Sequence, residues 1–293
     1  MAVIIVFIDG LGIGKRDASR NPLARFEPRV LRFFEDGTGP FPRRGHCLST
    51  RVDMGVKGLP QSATGHTALW TGRNAARHIG RHLSGFPTPA LRRLIERHSL
   101  FRRLKQKGKR PLFANAYRPV FFEKRPRWVS ASTVMCESAG VPLRTLADLK
   151  RGRALYMDFT NRFLLERGLV QGTRTPRKAA QILLSLAQAY DLTFYEYFLT
   201  DIEGHRGELE SATRLLRQLD EFLTHLVEGL DAGHSLVITS DHGNIEEMDH
   251  GRHTFNPVAT LLWGPLRQAF DEAELEITDI TPKILQFLSP AVS

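Results

Sequence analysis

The 293-residue sequence predicts an α/β fold, a three-layer α/β/α sandwich around a mainly parallel sheet, on two observations. Apolar runs of strand length alternate with longer amphipathic stretches of helical spacing. Three of those runs also finish alike, on an aspartate followed within three residues by glycine: Asp9 with Gly10, Asp201 with Gly204, and Asp241 with Gly243. Ligands of open α/β sheets bind beyond the carboxyl ends of the strands. The repeated ending therefore sends three carboxylates to one functional edge.

The three strands are expected at Val3–Ile8, Leu192–Thr200 and Ser235–Ser240, with a further one over Pro111–Tyr117. Thr175 caps a helix running from Pro176 to Tyr190, proline being suited to the first helical position. Leu215, Leu219, Phe222, Leu223 and Leu226 recur at helical spacing inside Glu208–Leu230. A basic helix, Ala90–Lys107, stops at Gly108, and a short one spans Ala63–Trp70. Between 118 and 172 the alternation breaks into prolines, basic residues and short helical pieces at Thr133–Ala139 and Leu146–Lys150. This segment is expected to be a small inserted cap, with 1–117 and 173–293 forming the core; Trp128, Phe121 and Phe122 are assigned to packing within it.

With 42% apolar and 25% charged residues the chain can bury a sizeable core, which excludes a disordered class. Cys47 and Cys136 make no disulfide framework and no C-x-x-C pair, which fits a reducing compartment. No stretch approaches the roughly 20 apolar residues that cross a bilayer. The Ala2–Ile8 run lacks a basic leader and ends on Asp9, so it reads as a buried strand and the protein as cytoplasmic, with no membrane partner. The net charge of +10 is concentrated: residues 73–127 hold 16 Lys and Arg against Glu96 and Glu123. Such a segment steers anionic substrates or binds nucleic acid. No nucleic-acid recognition motif accompanies it, so a small phosphorylated substrate is the expected partner.

The chemistry-bearing residues fall in four segments. Asp201-Ile-Glu-Gly-His205 sets a carboxylate and an imidazole one helical turn apart. Ser240-Asp241-His242-Gly243-Asn244 and His253-Thr-Phe-Asn-Pro257 supply the rest of an Asp/His mixture, a donor set that suits Mn²⁺ or Zn²⁺ better than Mg²⁺ or Ca²⁺. The fourth segment, Pro60-Gln-Ser62-Ala-Thr-Gly-His66, puts Ser62 near a helix N-terminus, where free N–H groups favour a bound phosphate. A serine hydroxyl becomes a useful nucleophile when a cation lowers its pKa. His66 is read as packing, and Asp249 and His250 as a polar loop. Arg81, His82 and Asn115 are candidates for holding the substrate: Arg81 as a bidentate phosphate clamp, Asn115 as a donor to a phosphate oxygen.

These segments resemble the alkaline phosphatase superfamily, in particular its branch of cofactor-independent phosphoglycerate mutases and phosphopentomutases. The first strand ends in Asp9, Ser62 stands three residues before Gly65-His66, and Asp-x-x-x-His, Asp-His-Gly and His-Thr-x-Asn-Pro follow in the branch's order. The resemblance implies two divalent ions, one on Asp201, His205 and His253 and the other on Asp9, Ser62, Asp241 and His242. It implies phosphoryl transfer through a phosphoserine at Ser62. The mutases carry a far larger inserted domain than 118–172, which favours hydrolysis of a phosphate monoester or diester over mutase chemistry. A sulfatase would need a Cys/Ser-x-Pro-x-Arg segment, and Ser62-Ala-Thr-Gly-His66 is not one. The alternative outside enzymology is a silent metal-holding domain whose basic segment docks on nucleic acid or an acidic partner.

Overall fold

A computed structural model describes residues 2–290. Seven strands form its main sheet: β1 (Ala2–Ile8), β2 (His46–Arg51), β3 (Pro111–Phe113), β4 (Leu192–Tyr197), β5 (His234–Thr239), β6 (Val258–Trp263) and β7 (Glu274–Glu276), in the spatial order β7-β2-β6-β5-β1-β4-β3. β6 alone among them runs against its neighbours β5 and β2, so the sheet is mainly parallel as the sequence predicts. The strands that end near the three aspartates, β5, β1 and β4, stand side by side at its centre. Their register (Phe7 beside Thr239, Ile8 beside Tyr197) aligns their carboxyl ends.

β1 is buried at every position, and its alternate residues divide between two cores. Val3, Ile5 and Phe7 face α1 (Ser62–Thr71), α2 (Pro89–His98), α3 (Leu100–Gln106), α4 (Ala131–Ser138) and α8 (Ile280–Leu288). Ile4, Val6 and Ile8 face α5 (Pro176–Ala187) and α7 (Leu209–Glu228). Two helical layers on a two-faced apolar strand are the three-layer sandwich, since a parallel sheet must cover both sides. Thr175 caps α5 by accepting from the Lys178 N–H, as its position suggests.

Several boundaries differ from expectation for local reasons. The predicted Ala90–Lys107 helix is two helices, because Ser99 adopts an extended backbone (ψ 148°) that ends α2 and starts α3. The strand expected through Thr200 stops at Tyr197, and α6 (Leu199–Arg206) begins at once. Asp201 therefore lies in the first turn of a helix, not on a strand. The run Pro111–Tyr117 breaks at Ala114 and Asn115, and Ala116–Tyr117 pairs instead with Arg144–Thr145.

Segment 118–172 divides its roles. Val129, Ala131, Val134, Met135 and Cys136 are buried in the core facing α1, and Leu155 and Phe159 in the core facing α7. Leu149, Ala154 and Leu164 form a separate small cluster with Ala116. Apolar burial on both sheet faces makes much of the segment part of the core rather than a detached cap. Phe121 packs on the core facing α1 and Phe122 lies edge-on against it at 5.5 Å, as expected, although Trp128 and Phe122 remain 44% and 46% exposed. Among the described residues, no helix is long and apolar enough to cross a membrane.

Candidate metal centre

Asp9 follows β1 directly, and Asp241 follows β5 after Ser240. Gly10 turns the chain away at φ +70°, and any Cβ there would stand 2.8 Å from Asp201 Oδ1. Only glycine lets the β1 and α6 termini approach this closely. α1 delivers Ser62 in its first turn and His66 one turn later. Gly65 lies against Asp241 Oδ2, 2.9 Å from where a Cβ would sit.

Two clusters result. In one, His253 Nε2 lies 3.4 Å from Asp201 Oδ1, His205 Nε2 lies 3.5 Å from Asp201 Oδ2, and the two imidazole nitrogens are 3.2 Å apart. In the other, His242 Nε2 lies 3.1 Å from Ser62 Oγ, 3.3 Å from Asp9 Oδ1 and 3.4 Å from Asp241 Oδ2. His242 and His253 stack with ring centroids 3.7 Å apart, joining the clusters. All seven residues that the sequence singled out as metal-binding candidates are thus brought together.

Each of the three imidazoles has its ring orientation fixed from behind. His253 Nδ1 is 2.9 Å from the Pro60 carbonyl, His205 Nδ1 2.9 Å from that of Gly251, and His242 Nδ1 3.3 Å from that of Gly243. A carbonyl only accepts, so Nδ1 keeps its proton; Nε2 of His205 and His253 then presents a lone pair, and Nε2 of His242 does so once its second proton is displaced. Asn244 Nδ2 donates to Asp201 Oδ1 at 2.7 Å and so orients that carboxylate.

The buried charges leave a debt that a cation would settle. Asp9 Oδ1, both Asp241 carboxylate oxygens and His66 Nε2 are buried without a hydrogen bond. Burial pushes the Asp241 carboxyl up to about 7, with Asp9 and Asp201 adding to the effect. Burial would also raise Asp9, but the His242 and His66 imidazoles beside it hold it far below the usual carboxylate range. Donor atoms placed tetrahedrally about 2.0 Å from a cation stand about 3.3 Å apart, close to the separations within both clusters. Donor chemistry, spacing and orphaned oxygens all fit divalent ions.

Beside the clusters opens a cleft of ≈ 470 Å³ lined by Ser62, Asp201, His205 and His253, by Leu59, Gln61 and Gly251, and by Ser84, Gly85 and Arg252. The three residues expected to hold substrate are not among its walls. Both ends of the Asn115 amide are spent on the Glu196 backbone, at 2.7 and 2.9 Å. His82 Nε2 lies 3.1 Å from the Val56 carbonyl, and Arg81 is exposed. Asp249 is held by Arg20 at 3.1 Å, in keeping with a polar loop.

Three participants escape a reading by motif. His66 Nε2 approaches Asp9 Oδ2 at 3.5 Å and Asp241 Oδ2 at 3.3 Å, while its ring packs edge-on against Phe7. It therefore touches the ligands as well as packing. Glu246, 2% exposed, accepts from the Gly12 and Asn244 N–H groups, the Thr254 hydroxyl and the Asn256 amide, tying three site loops together. Arg252 brings a cation to the cleft wall. The signal for Arg252 was its place beside His253; Glu246 gave none.

A parallel sheet between two helical layers, with Asp and His donors gathered past its central strands, defines a metal-dependent enzyme of alkaline phosphatase-like architecture. The chain belongs to the Metalloenzyme superfamily, whose family model matches residues 1–291. It is similar to 2,3-bisphosphoglycerate-independent phosphoglycerate mutases of Ruegeria pomeroyi, 30% identical over 122 residues, and of Rhodopseudomonas palustris, 34% identical over 110. Those alignments cover 39% and 34% of this chain and 24% and 21% of the relatives, so the match spans about a quarter of their length or less. Among solved structures it is similar to the PH0037 protein from Pyrococcus horikoshii (TM-score 0.59, 13% identity, 98% of this chain and 97% of that one). A cold-active alkaline phosphatase from Shewanella sp. gives a TM-score of 0.56 at 13% identity, over 98% and 100% of the two chains. At such identity these likenesses establish the fold alone.

Proposed function

We propose that the protein hydrolyses a phosphate monoester or diester by phosphoryl transfer through Ser62. The observation that carries this reading is the Ser62 hydroxyl, 3.1 Å from His242 Nε2, in the first turn of α1 and open to the cleft. The two divalent ions, Mn²⁺ or Zn²⁺, would be held by Asp201, His205 and His253 and by Asp9, Ser62, Asp241 and His242. When bound, they supply charge neutralisation at the phosphoryl oxygens and lower the pKa of the serine hydroxyl. Ser62 Oγ gives up its proton to solvent and attacks phosphorus; the bond to the leaving oxygen breaks, and that oxygen takes a proton. Water then attacks the phosphoserine, releasing phosphate and restoring the hydroxyl. The α1 N–H groups face the anion during both displacements. Arg252 on the cleft wall offers a guanidinium to a non-transferred oxygen.

Mutase chemistry on a small phosphorylated metabolite uses the same groups, and the likeness to phosphoglycerate mutases favours it. The short segment 118–172, where the mutases carry a far larger inserted domain, and an open cleft favour hydrolysis. The test is a panel of phosphate mono- and diesters offered to the Mn²⁺- or Zn²⁺-loaded protein. Steady phosphate release supports the hydrolase, and label exchange between two substrate hydroxyls without release supports the mutase. If neither occurs and no phosphoserine can be trapped, the silent metal-holding domain is left.

A further inference from the structure

Among the described residues, only two of the 16 cations in segment 73–127 meet a carboxylate: Arg110 reaches Asp191 and Arg125 reaches Glu137. The others stand without a counter-charge, and Arg73, Arg103 and Arg97 lie near enough to help burial depress the His98 imidazole. A surface that gathers like charge in this way is destabilised by its own repulsion until an anion covers it.

Its aromatic residues are arranged with the guanidinium groups. Arg92 and Arg127 lie over the Trp128 ring at 5.6 and 5.5 Å, and Arg125 lies over Phe121 at 5.0 Å. Trp128 and Phe122 keep about half of their surface in solvent. The patch also joins the cleft. Ser84 and Gly85 line the cleft, Phe86 beside them is 53% exposed, and the Arg92 Nε–H donates to the Pro87 carbonyl at 3.3 Å. From the mouth beside Ser62, the surface thus runs through Phe86 and Arg92 to Trp128 and Arg127.

We propose that this surface binds single-stranded nucleic acid and leads its phosphodiester backbone toward the Ser62 cleft. Guanidinium groups hold the phosphates, and the exposed Trp128, Phe122 and Phe86 faces stack with bases, which is how sequence-tolerant single-strand binding is built. An acidic protein would match the charge but has no use for flat aromatic faces between the cations. A duplex keeps its bases stacked inside and offers them none. For its chemistry the proposal rests on the phosphoryl-transfer reading; for binding it stands on the surface alone.

The test uses the metal-loaded Ser62→Ala protein, which cannot form a phosphoserine, and follows the anisotropy of a fluorescein-labelled ten-residue oligothymidylate. Binding is expected to weaken steeply with salt. It should be about ten-fold weaker in Trp128→Ala, the loss of one base-stacking contact. Arg127→Gln, an exposed position that leaves the fold untouched, should also weaken it. A labelled polyglutamate peptide should bind much less. Equal binding of polyglutamate and oligothymidylate, with no effect of Trp128→Ala, would assign the patch to an acidic protein and overturn the proposal; so would the absence of oligothymidylate binding. Hydrolysis of 4-nitrophenyl phosphate by the wild-type protein is assayed separately: its absence would count against the phosphoryl-transfer reading and leave the binding result intact.

Discussion

His205 and His253 face each other with their Nε2 atoms 3.2 Å apart, while each Nδ1 lies 2.9 Å from a backbone carbonyl. With both Nδ1 protons committed, two lone pairs point into one small space beside the Asp201 carboxylate. That arrangement is repulsive without a cation and attractive with one. Metal loading is accordingly expected to stabilise the fold. At a metal concentration about 100 times Kd the gain is about 2.7 kcal/mol, or a rise in Tm of roughly 4–5 °C for a chain of this size. Differential scanning calorimetry with Mn²⁺ or Zn²⁺ against EDTA measures it, and His253→Ala should remove most of the rise. A Tm indifferent to metal would contradict the ligand assignment.

Replacing Ser62 by alanine is expected to lower turnover by about 10³-fold or more, since the first displacement loses its nucleophile. Acid quenching followed by mass spectrometry should find a phosphorylated Ser62 peptide in the wild type and none in the variant. Wild-type turnover retained in Ser62→Ala would mean that water attacks directly.

Much of this centre was legible because its chemistry is local in sequence. Asp201 and His205 share one helical turn, and Asp241 and His242 are adjacent, so spacing alone places each pair. The central strands were legible for a similar reason: β1 is a continuous apolar run, and β5 carries the apolar core Leu236-Val237-Ile238 shortly before Ser240-Asp241. The outer strand β2, His-Cys-Leu-Ser-Thr-Arg, carries no such run, and its pairing with β6 joins residues about 200 positions apart. Glu246 was hidden likewise. It is one acid among many until folding brings Gly12, Asn244, Thr254 and Asn256 around it. Asn115 misled because a strand-end amide looks the same whether it is free or spent on a neighbouring backbone.

Glu246→Ala is expected to destabilise the protein by about 3–5 kcal/mol, because it strands several buried donors at once. Thermal unfolding should report a fall in Tm of roughly 5–8 °C. Metal affinity should fall too, since the loops carrying Asn244 and His253 lose their common anchor. A change within about 1 °C would show that water replaces the carboxylate without cost.

Proton release should accompany metal binding near neutral pH. Without metal, Asp241 is pushed up to about 7, first by burial. Burial would lower His242, but Asp241 and Asp9 override it and raise the imidazole to about 10. Both folded values exceed the unfolded ones, about 3.9 and 6.5. Their contribution to metal-free stability is therefore complete below those unfolded values and is lost as pH rises through about 7 and about 10. Metal-free stability should thus decline toward alkaline pH, and ligation should displace the protons still bound. Titration calorimetry of metal binding at pH 7.5, in buffers of different ionisation enthalpy, should give a net release that vanishes above about pH 10. A buffer-independent enthalpy at pH 7.5 would rule this out.

Gly10→Ala tests whether the end of β1 and the start of α6 must approach as closely as they do. At φ +70° an alanine is strained by about 1–2 kcal/mol. Its Cβ would also stand 2.8 Å from Asp201 Oδ1, the oxygen that Asn244 and His253 address. Asp201 cannot retreat along its own helix, because its carbonyl and carboxylate are both bonded by the Asn244 amide. The strain should therefore appear at the ligand cluster more than in the core. Metal affinity is expected to fall about ten-fold or more while Tm of the metal-free protein drops by only a few degrees. Competition with a calibrated chelator measures the first and calorimetry in EDTA the second. The opposite pattern, large thermal loss with unchanged affinity, would place the strain in β1 itself and free Asp201 from dependence on the Gly10 turn.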